Sequence, residues 1–228
     1  VSTERNVPSA PAVIGGLPAE EIGRRVKAEL RDRMRRVRKA IGDEARGARS
    51  RKIADGVLAL EAWTRASTVA LFVPMRTEVD VTLLAGAAWA AGKRVAAPRM
   101  IEIGGAEGPP TLALELRLWE RDVAPVESGR MVREPPVSAP LVSPSEVELV
   151  VVPALALDPS GGRIGYGAGL YDRLLPQLTS ALFVGIAFEF QLVAELPMAA
   201  HDQRVHRIVT DERSIVVSEG PLADDRAL

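Results

Sequence analysis

The chain has 228 residues, 47% of them hydrophobic and 26% charged, with a formal net charge of -1, values that exclude a disordered or fibrous class and leave room for one domain with a buried core. It has no cysteine and only two histidines, His201 and His206, which excludes disulfides, thiol nucleophiles and thiolate zinc sites.

The opening VSTERNVPSAPAVIGGLP lacks a basic segment followed by an apolar stretch of signal-peptide length. Residues 1–18 are expected to form a flexible leader ahead of a single domain over 19–228. No later run approaches the roughly 20 apolar residues of a membrane span, so a cytoplasmic protein with no membrane partner is expected.

Ile22, Val26, Leu30, Met34, Val37 and Ile41 recur at helical spacing and predict one amphipathic helix, with basic residues on its other faces. Between Arg24 and Lys52 stand 13 Lys or Arg against four acids, so this segment attracts anions. Asp43 is positioned to cap a second helix through Ile53, Val57 and Leu60. Thr68–Pro74 reads as a strand, Asp80–Ala91 as a helix closed by Gly92, and Arg94–Met100 as a second strand, the order of a parallel crossover. Leucines at 112, 114, 116 and 118 alternate with Ala113, Glu115 and Arg117, as in a half-exposed strand near an antiparallel edge. A punctuated connection over Gly129–Ser145 precedes the apolar run Leu149–Leu157, which reads as a buried central strand. Leu182–Phe188 and Ser214–Val217 complete the set. The fold class that results is α/β, a single three-layer domain with a mostly parallel or mixed sheet and helices on both faces.

GRIGYGAGLYD, Gly162 to Asp172, holds four of the 19 glycines and both tyrosines, Tyr166 and Tyr171. It follows the most apolar strand and leads into a helix start, the order used for phosphate binding, in which bare backbone N–H groups converge on an anion. Arg163 adds a planar fork suited to phosphate oxygens. The spacing matches neither the dinucleotide fingerprint, which would place glycine at Leu170, nor a P-loop, which ends in G-K-[ST]. Asp172 either holds Mg2+ through oxygen or caps the next helix.

GGRIGYGAGLYD resembles the G-x-R-L-G-x-G-x-G-Y-Y-D signature of the 5-formyltetrahydrofolate cyclo-ligase family. KAELR, LFVPMRTEVDV, VVVPALALD, VGIAFEFQLVAELP and HDQRVHRIVTDE resemble further segments of that family in the same order, so the likeness covers most of residues 27 to 212. The resemblance implies an enzyme that uses ATP and Mg2+ to close 5-formyltetrahydrofolate to 5,10-methenyltetrahydrofolate, releasing ADP and phosphate, through a phosphorylated formyl intermediate. It implies small-molecule partners only, and a monomer. By match of position, ATP is expected at Lys27, Arg31, Arg163, Ile164, Gly165, Tyr166, Gly167, Ala168, Gly169, Leu170 and Tyr171, with Arg163 and Tyr171 catalytic. The formyl folate is expected at Val73, Glu78, Tyr166, Gly167, Ala168, Gly169 and Leu170, and Mg2+ at Asp172 and Asp202. The chain departs from the family pattern at Leu170, where a tyrosine is usual, and at Val81, Leu157, Ala168 and His206.

Two other readings remain at this point. The same ATP-driven chemistry could act on a different N-formyl or N-formimino compound, given Leu170. A nucleic-acid binder could use the basic Arg24–Lys52 segment, although it carries no interleaved aromatics for base stacking. Arg99 is a weaker phosphate candidate, and Trp119 is expected to pack rather than stack on ligand.

Overall fold

The computed structural model describes residues 13–14, 17–104, 109–128 and 132–217. The expected leader lies outside them, except that the backbones of Val13–Ile14 and Leu17–Pro18 form a short antiparallel ladder. Seven strands build one sheet: β1 (Thr68–Ala70), β2 (Arg94–Ile103), β3 (Thr111–Leu118), β4 (Leu149–Pro153), β5 (Leu182–Ile186), β6 (Arg207–Val209) and β7 (Ser214–Val216). Their order is β7-β6-β5-β4-β1-β2-β3. Every interior pairing is parallel, and the edge strands β3 and β7 run antiparallel, as the alternating leucines of β3 predict.

The helices are α1 (Ala19–Ala40), α2 (Asp43–Leu58), α3 (Glu61–Arg65), α4 (Thr82–Ala90) and α5 (Leu170–Leu174). Strand alternation divides the core in two. Val69, Val95, Leu149, Val151, Val184 and Val209 point to the face covered by Ile53 and Val57 of α2, Trp63 of α3 and Leu84 of α4. Ala70, Ala96, Val150, Val152, Phe183 and Ile208 point to the other, under Leu174 of α5 and the following Leu175 and Leu178. Three layers follow, as the sequence predicts. No helix among the described residues is long and apolar enough to cross a membrane.

Several elements differ from the sequence-based expectation. The strand expected over Thr68–Pro74 leaves the ladder after Ala70, and the buried residues beyond it, Leu71 to Val73, carry the chain toward Glu78. The run Leu149–Leu157 breaks at Pro153, which has no N–H to donate, and Ala156–Leu157 turns away to pair antiparallel with Arg163–Ile164. Asp43 begins α2 rather than capping it, with Gly42 at the cap, and Leu60 caps α3. β6 and α3 are too short for their periodicity to register against flanking charge.

The largest difference is the orientation of α1. Val26 and Val37 of the expected apolar stripe are exposed, whereas Met34 and Arg38 are buried. Met34 packs with Leu155, Ala156, Ile164 and Leu196, so α1 covers the loops that follow β4 and β5 rather than the sheet. Its inward face therefore carries Lys27, Arg31 and Arg38, while Arg24, Arg25, Arg33, Arg35, Arg36 and Lys39 face water.

Packing between the layers is tight at Gly185 in β5, where an added Cβ would lie 2.9 Å from Val205 Cγ2 and 3.2 Å from Leu157 Cδ2. Gly185→Val should therefore lower the urea midpoint by the equivalent of about 1–3 kcal/mol. An unchanged midpoint would show that Val205 and Leu157 can make room.

Candidate active site

The sheet reverses direction of growth between β1 and β4: β1 continues to β2 on one side and β4 to β5 on the other. Such a switch point opens a crevice at the carboxyl ends of the two strands, where ligands of open α/β sheets bind. The loop leaving β1 carries Glu78 and the loop leaving β4 carries the glycine-rich segment. They meet across the crevice, with the Tyr166 hydroxyl donating to Glu78 Oε1 at 2.9 Å.

The glycine segment is held by a residue that sequence reasoning missed. Asp158-Pro-Ser-Gly161 makes a tight turn, Gly161 N–H donating to the Asp158 carbonyl at 3.0 Å, with Gly161 at φ +84°. The Asp158 carboxylate is 1% exposed. It accepts from Ser160 N (2.9 Å), Ser160 Oγ (2.6 Å), Gly162 N (2.9 Å) and Leu196 N (2.9 Å). The Gly162 N–H, expected to face a ligand anion, thus serves an anion of the chain itself. A side chain at Gly162 would place Cβ 2.5 Å from Asp158 Oδ2, which is why glycine stands there. An aspartate opening a D-P-S-G turn was the signal available in the sequence.

Beyond this turn, Gly167 at φ +104° and Gly169 at φ +63° occupy backbone conformations that favour glycine. α5 then begins, only five residues long, so the macrodipole expected from a full helix is reduced to one turn.

The cations converge on this loop from two sides. Arg163, 5% exposed, donates through Nη2 to Asp172 Oδ1 at 2.9 Å and lies 5.6 Å from the centre of the Tyr171 ring. Its buried Nε has no hydrogen-bond partner among the described residues. From α1, Arg31 Nε donates to the Gly165 carbonyl at 3.0 Å, and Lys27 pairs with Asp202 Oδ2. Partial burial and the neighbouring Arg35 hold the Arg31 guanidinium below its usual range, while Asp202 and Asp172 pull it the other way. Burial alone would raise the Asp202 carboxyl, but the Lys27 ammonium and the Ala199 N–H outweigh it and hold it below the usual carboxylate range.

Asp172 and Asp202 sit on adjoining segments, since the N–H of Gln203 donates to Asp172 Oδ1 at 3.2 Å. Each takes its hydrogen bonds on one oxygen: Asp172 Oδ1 from Arg163 and Gln203, Asp202 Oδ2 from Lys27 and Ala199. Among the described residues no group of three or more His, Cys, Asp or Glu gathers to hold a metal ion. Two hard carboxylates without a full protein cage fit Mg2+, which keeps waters and takes phosphate oxygens for the rest.

On the opposite wall Glu78 is 6% exposed. Its Oε2 accepts from Met75 N–H at 2.9 Å, and burial pushes its carboxyl above the ordinary glutamate range despite Met75, Arg38 and Tyr166. Burial, and then the Glu78 charge, push both phenols, Tyr166 and Tyr171, upward, so each keeps its proton at neutral pH and serves as a donor rather than a base. Arg38, also missed, donates through Nη2 to Tyr166 Oη at 2.7 Å and Thr77 Oγ1 at 2.9 Å.

The remaining expected residues fall in different environments. Val73 is buried in the core beside β1. Ile164 packs its side chain against Met34 and gives its carbonyl to Leu155 N–H at 2.7 Å. Ala168 gives its carbonyl to Arg173 at 2.8 Å, and Leu170 is half-buried at the start of α5. Arg99 is committed elsewhere, to Glu134 at 3.2 Å and the Pro135 carbonyl at 2.6 Å. Trp119 packs edge-on against Trp89, ring centres 5.5 Å apart, as the packing reading expects. An open cleft of about 510 Å³ adjoins Asp202, lined by Phe183, Met198, Gln203, Arg204 and His206.

The model of the 5-formyltetrahydrofolate cyclo-ligase family matches residues 24–211. The chain belongs to that family. It is similar to the 5-formyltetrahydrofolate cyclo-ligase of Mycolicibacterium smegmatis, 28% identical over 193 residues that cover 84% of this chain and 97% of the relative. The Escherichia coli K12 cyclo-ligase is 29% identical over 184 residues, covering 79% of this chain and 97% of that one. Among solved structures, that of Aquifex aeolicus 5,10-methenyltetrahydrofolate synthetase superposes with a TM-score of 0.71 at 30% identity, covering 86% of this chain and 94% of the other. Membership makes the chain an enzyme of the ligase class, with the fold that the sheet order shows.

Because Asp158 satisfies the buried N–H groups of Gly162 and Leu196 together with two donors of the exposed Ser160, Asp158→Ala orphans the first two and frees the others to water. At about 1–3 kcal/mol for each unsatisfied buried group, the variant should lose several kcal/mol of unfolding free energy. Asp158→Asn, which can accept at one oxygen only, should fall between. Equal denaturation midpoints for Asp158→Ala and the native chain would refute this role.

Proposed function

We propose that this protein closes 5-formyltetrahydrofolate to 5,10-methenyltetrahydrofolate, driven by ATP with Mg2+, releasing ADP and phosphate. The observation that carries the reading is the crevice between β1 and β4. One wall presents Arg163, Arg31 and Lys27 around bare glycine backbone, and the other presents a buried carboxylate, Glu78. A triphosphate suits the first wall and an N–H-bearing pterin edge the second, so the two substrates meet where Tyr166 bridges them.

The chemistry follows from a poor leaving group. The formyl oxygen attacks the γ-phosphorus of ATP and ADP departs. The carbon, now iminium-like and bearing a phosphate ester oxygen, is attacked by N10, which loses its proton. The C–O bond then breaks, phosphate leaves with both electrons of that bond, and the cationic methenyl bridge remains. The chain contributes placement and charge rather than a covalent step.

Within this reading Lys27, Arg31 and Arg163 hold the phosphates, and the main chain of Gly165 to Tyr171 surrounds them. Arg163 is the catalytic cation, its guanidinium held between Asp172 and the Tyr171 ring beside the glycine loop. The Tyr171 phenol, protonated and beside Arg163, donates to the same oxygens. Asp172 and Asp202 would hold Mg2+, which when bound neutralises charge on the phosphate oxygens. Glu78 accepts from the pterin, and Val73 with the loop from Tyr166 to Leu170 borders the folate. The cleft beside Asp202 has room for the rest of a nucleotide.

Purified protein with ATP, Mg2+ and 5-formyltetrahydrofolate should develop the near-ultraviolet absorbance of the methenyl product, and a flat trace at high enzyme concentration overturns the reading. Arg163→Ala and Asp172→Ala should each lower kcat roughly a hundredfold or more while far-ultraviolet circular dichroism is retained. Full turnover in either variant would remove that residue from its assigned role.

A further inference from the structure

The direction of donation across the crevice is fixed by atom chemistry. Arg38, 4% exposed on the inward face of α1, carries donors and no acceptor, so its Nη2 donates to Tyr166 Oη at 2.7 Å. The phenol has one proton, and with its oxygen accepting from Arg38 that proton goes to Glu78 Oε1 at 2.9 Å. Met75 N–H supplies the other oxygen, Oε2, at 2.9 Å. Each carboxylate oxygen thus receives one donor and keeps lone-pair capacity for another. Thr77, one residue before Glu78, anchors the same Arg38 Nη2 at 2.9 Å, which ties the relay to the loop it serves.

We propose that Arg38 and Tyr166 are positioning residues for Glu78: they hold it as an acceptor-only carboxylate, so that the crevice selects a ligand edge with adjacent N–H donors over one that presents an acceptor. The proposal rests on the reading that Glu78 receives the folate, and it assigns to Arg38 a part that neither the glycine motif nor the helix pattern indicates. Arg38 reaches no ligand itself. It acts through the phenol of Tyr166, a residue 41% exposed whose hydroxyl joins the network between Arg38 and Glu78.

The groups that face Glu78 come from three elements: Arg38 from α1, Tyr166 from the glycine loop and, through its charge interaction, Tyr171 from α5. Burial pushes the Glu78 carboxyl up, while the Met75 N–H, the Arg38 charge and the Tyr166 hydroxyl pull it down. Removal of the hydroxyl or of the guanidinium deletes a downward influence, so the carboxyl should protonate at higher pH. A phenol that only fills space would leave the titration where it is.

The test is a 13C-carboxyl titration of ligand-free protein, with the Glu78 resonance assigned by Glu78→Gln. Tyr166→Phe, which removes one oxygen, should move the midpoint upward by about one pH unit, and Arg38→Met should move it the same way. If Arg38→Met fails to fold, Arg38→Lys, which keeps the charge but not the planar fork, should give a smaller upward shift. In turnover, Tyr166→Phe should raise KM for 5-formyltetrahydrofolate about tenfold, more than KM for ATP, and its acid limb should move with the carboxyl midpoint. An unmoved midpoint in folded Tyr166→Phe overturns the relay. The titration requires no turnover, so a wild-type protein that makes no methenyl product would sink the proposed function while the relay is still judged by its midpoint.

Discussion

A buried carboxylate with four donors around it is the constraint on which the rest of the site depends. Asp158 ties Ser160 and Gly162, in the loop after β4, to Leu196, in the segment after β5. Charge-assisted hydrogen bonds of this kind are about twice as strong as neutral ones, and their geometry leaves the turn one shape. From that turn Arg163 enters its short ladder with Leu157, buried and aimed at Asp172. The same link brings the segment after β5 against the glycine loop, and Gln203 can then reach Asp172. The two candidate metal-binding aspartates owe their proximity to a third that faces neither ligand.

The loops so fixed form a surface that α1 covers. Leu30 and Met34 of α1 pack on the apolar side chains of Leu155, Ala156, Ile164 and Leu196, while the cations beside them on the inward face meet carbonyl and carboxylate groups of the same loops. Lys27 meets Asp202, Arg31 meets the Gly165 carbonyl, and Arg38 meets Thr77 and Tyr166. The match is incomplete in one respect. Both Arg38 and Arg163 have a buried Nε without a partner among the described residues, and an orphaned buried donor costs about 1–3 kcal/mol. Such groups collect where function rather than stability sets the arrangement.

The fold was legible wherever burial imposed a period. The expected runs Leu149–Leu157 and Leu182–Phe188 hold the strands Leu149–Pro153 and Leu182–Ile186, and the alternating leucines fall in β3, because apolar neighbours on two faces, or a period of two, leave a clear pattern. β6 was not legible: the three residues Arg207–Val209 carry no period, and pairing with β5 and β7 makes them a strand. The orientation of α1 was misread for a physical reason. Its aliphatic residues at helical spacing imply an apolar neighbour along the whole stripe, whereas Leu30 and Met34 meet one and Val26 and Val37 are left exposed. The glycine segment announced a ligand-facing backbone, and the resemblance gave its residues roles. What neither could show was Asp158, whose carboxylate looks like any turn aspartate until burial is known, or Arg38, one arginine among many.

Strand order explains why residues 88 positions apart in sequence share one hydrogen bond. Glu78 and Tyr166 follow the two neighbouring parallel strands between which the sheet reverses, so their loops border one crevice and meet across it. Across that gap the charges are largely fixed near neutral pH: Asp202 is held ionised by Lys27, and burial keeps both phenols protonated. The proposed reaction, in which the substrates supply the nucleophile, the phosphoryl group and the leaving group, asks this of a protein more than it asks for a proton shuttle. Glu78 is the exception, since burial draws it toward neutrality, and the hydrogen bonds that oppose this reach it from Arg38 by way of the glycine loop. The glycine loop therefore also bears on the state of the carboxylate on the opposite wall, and the two halves of the crevice are not independent.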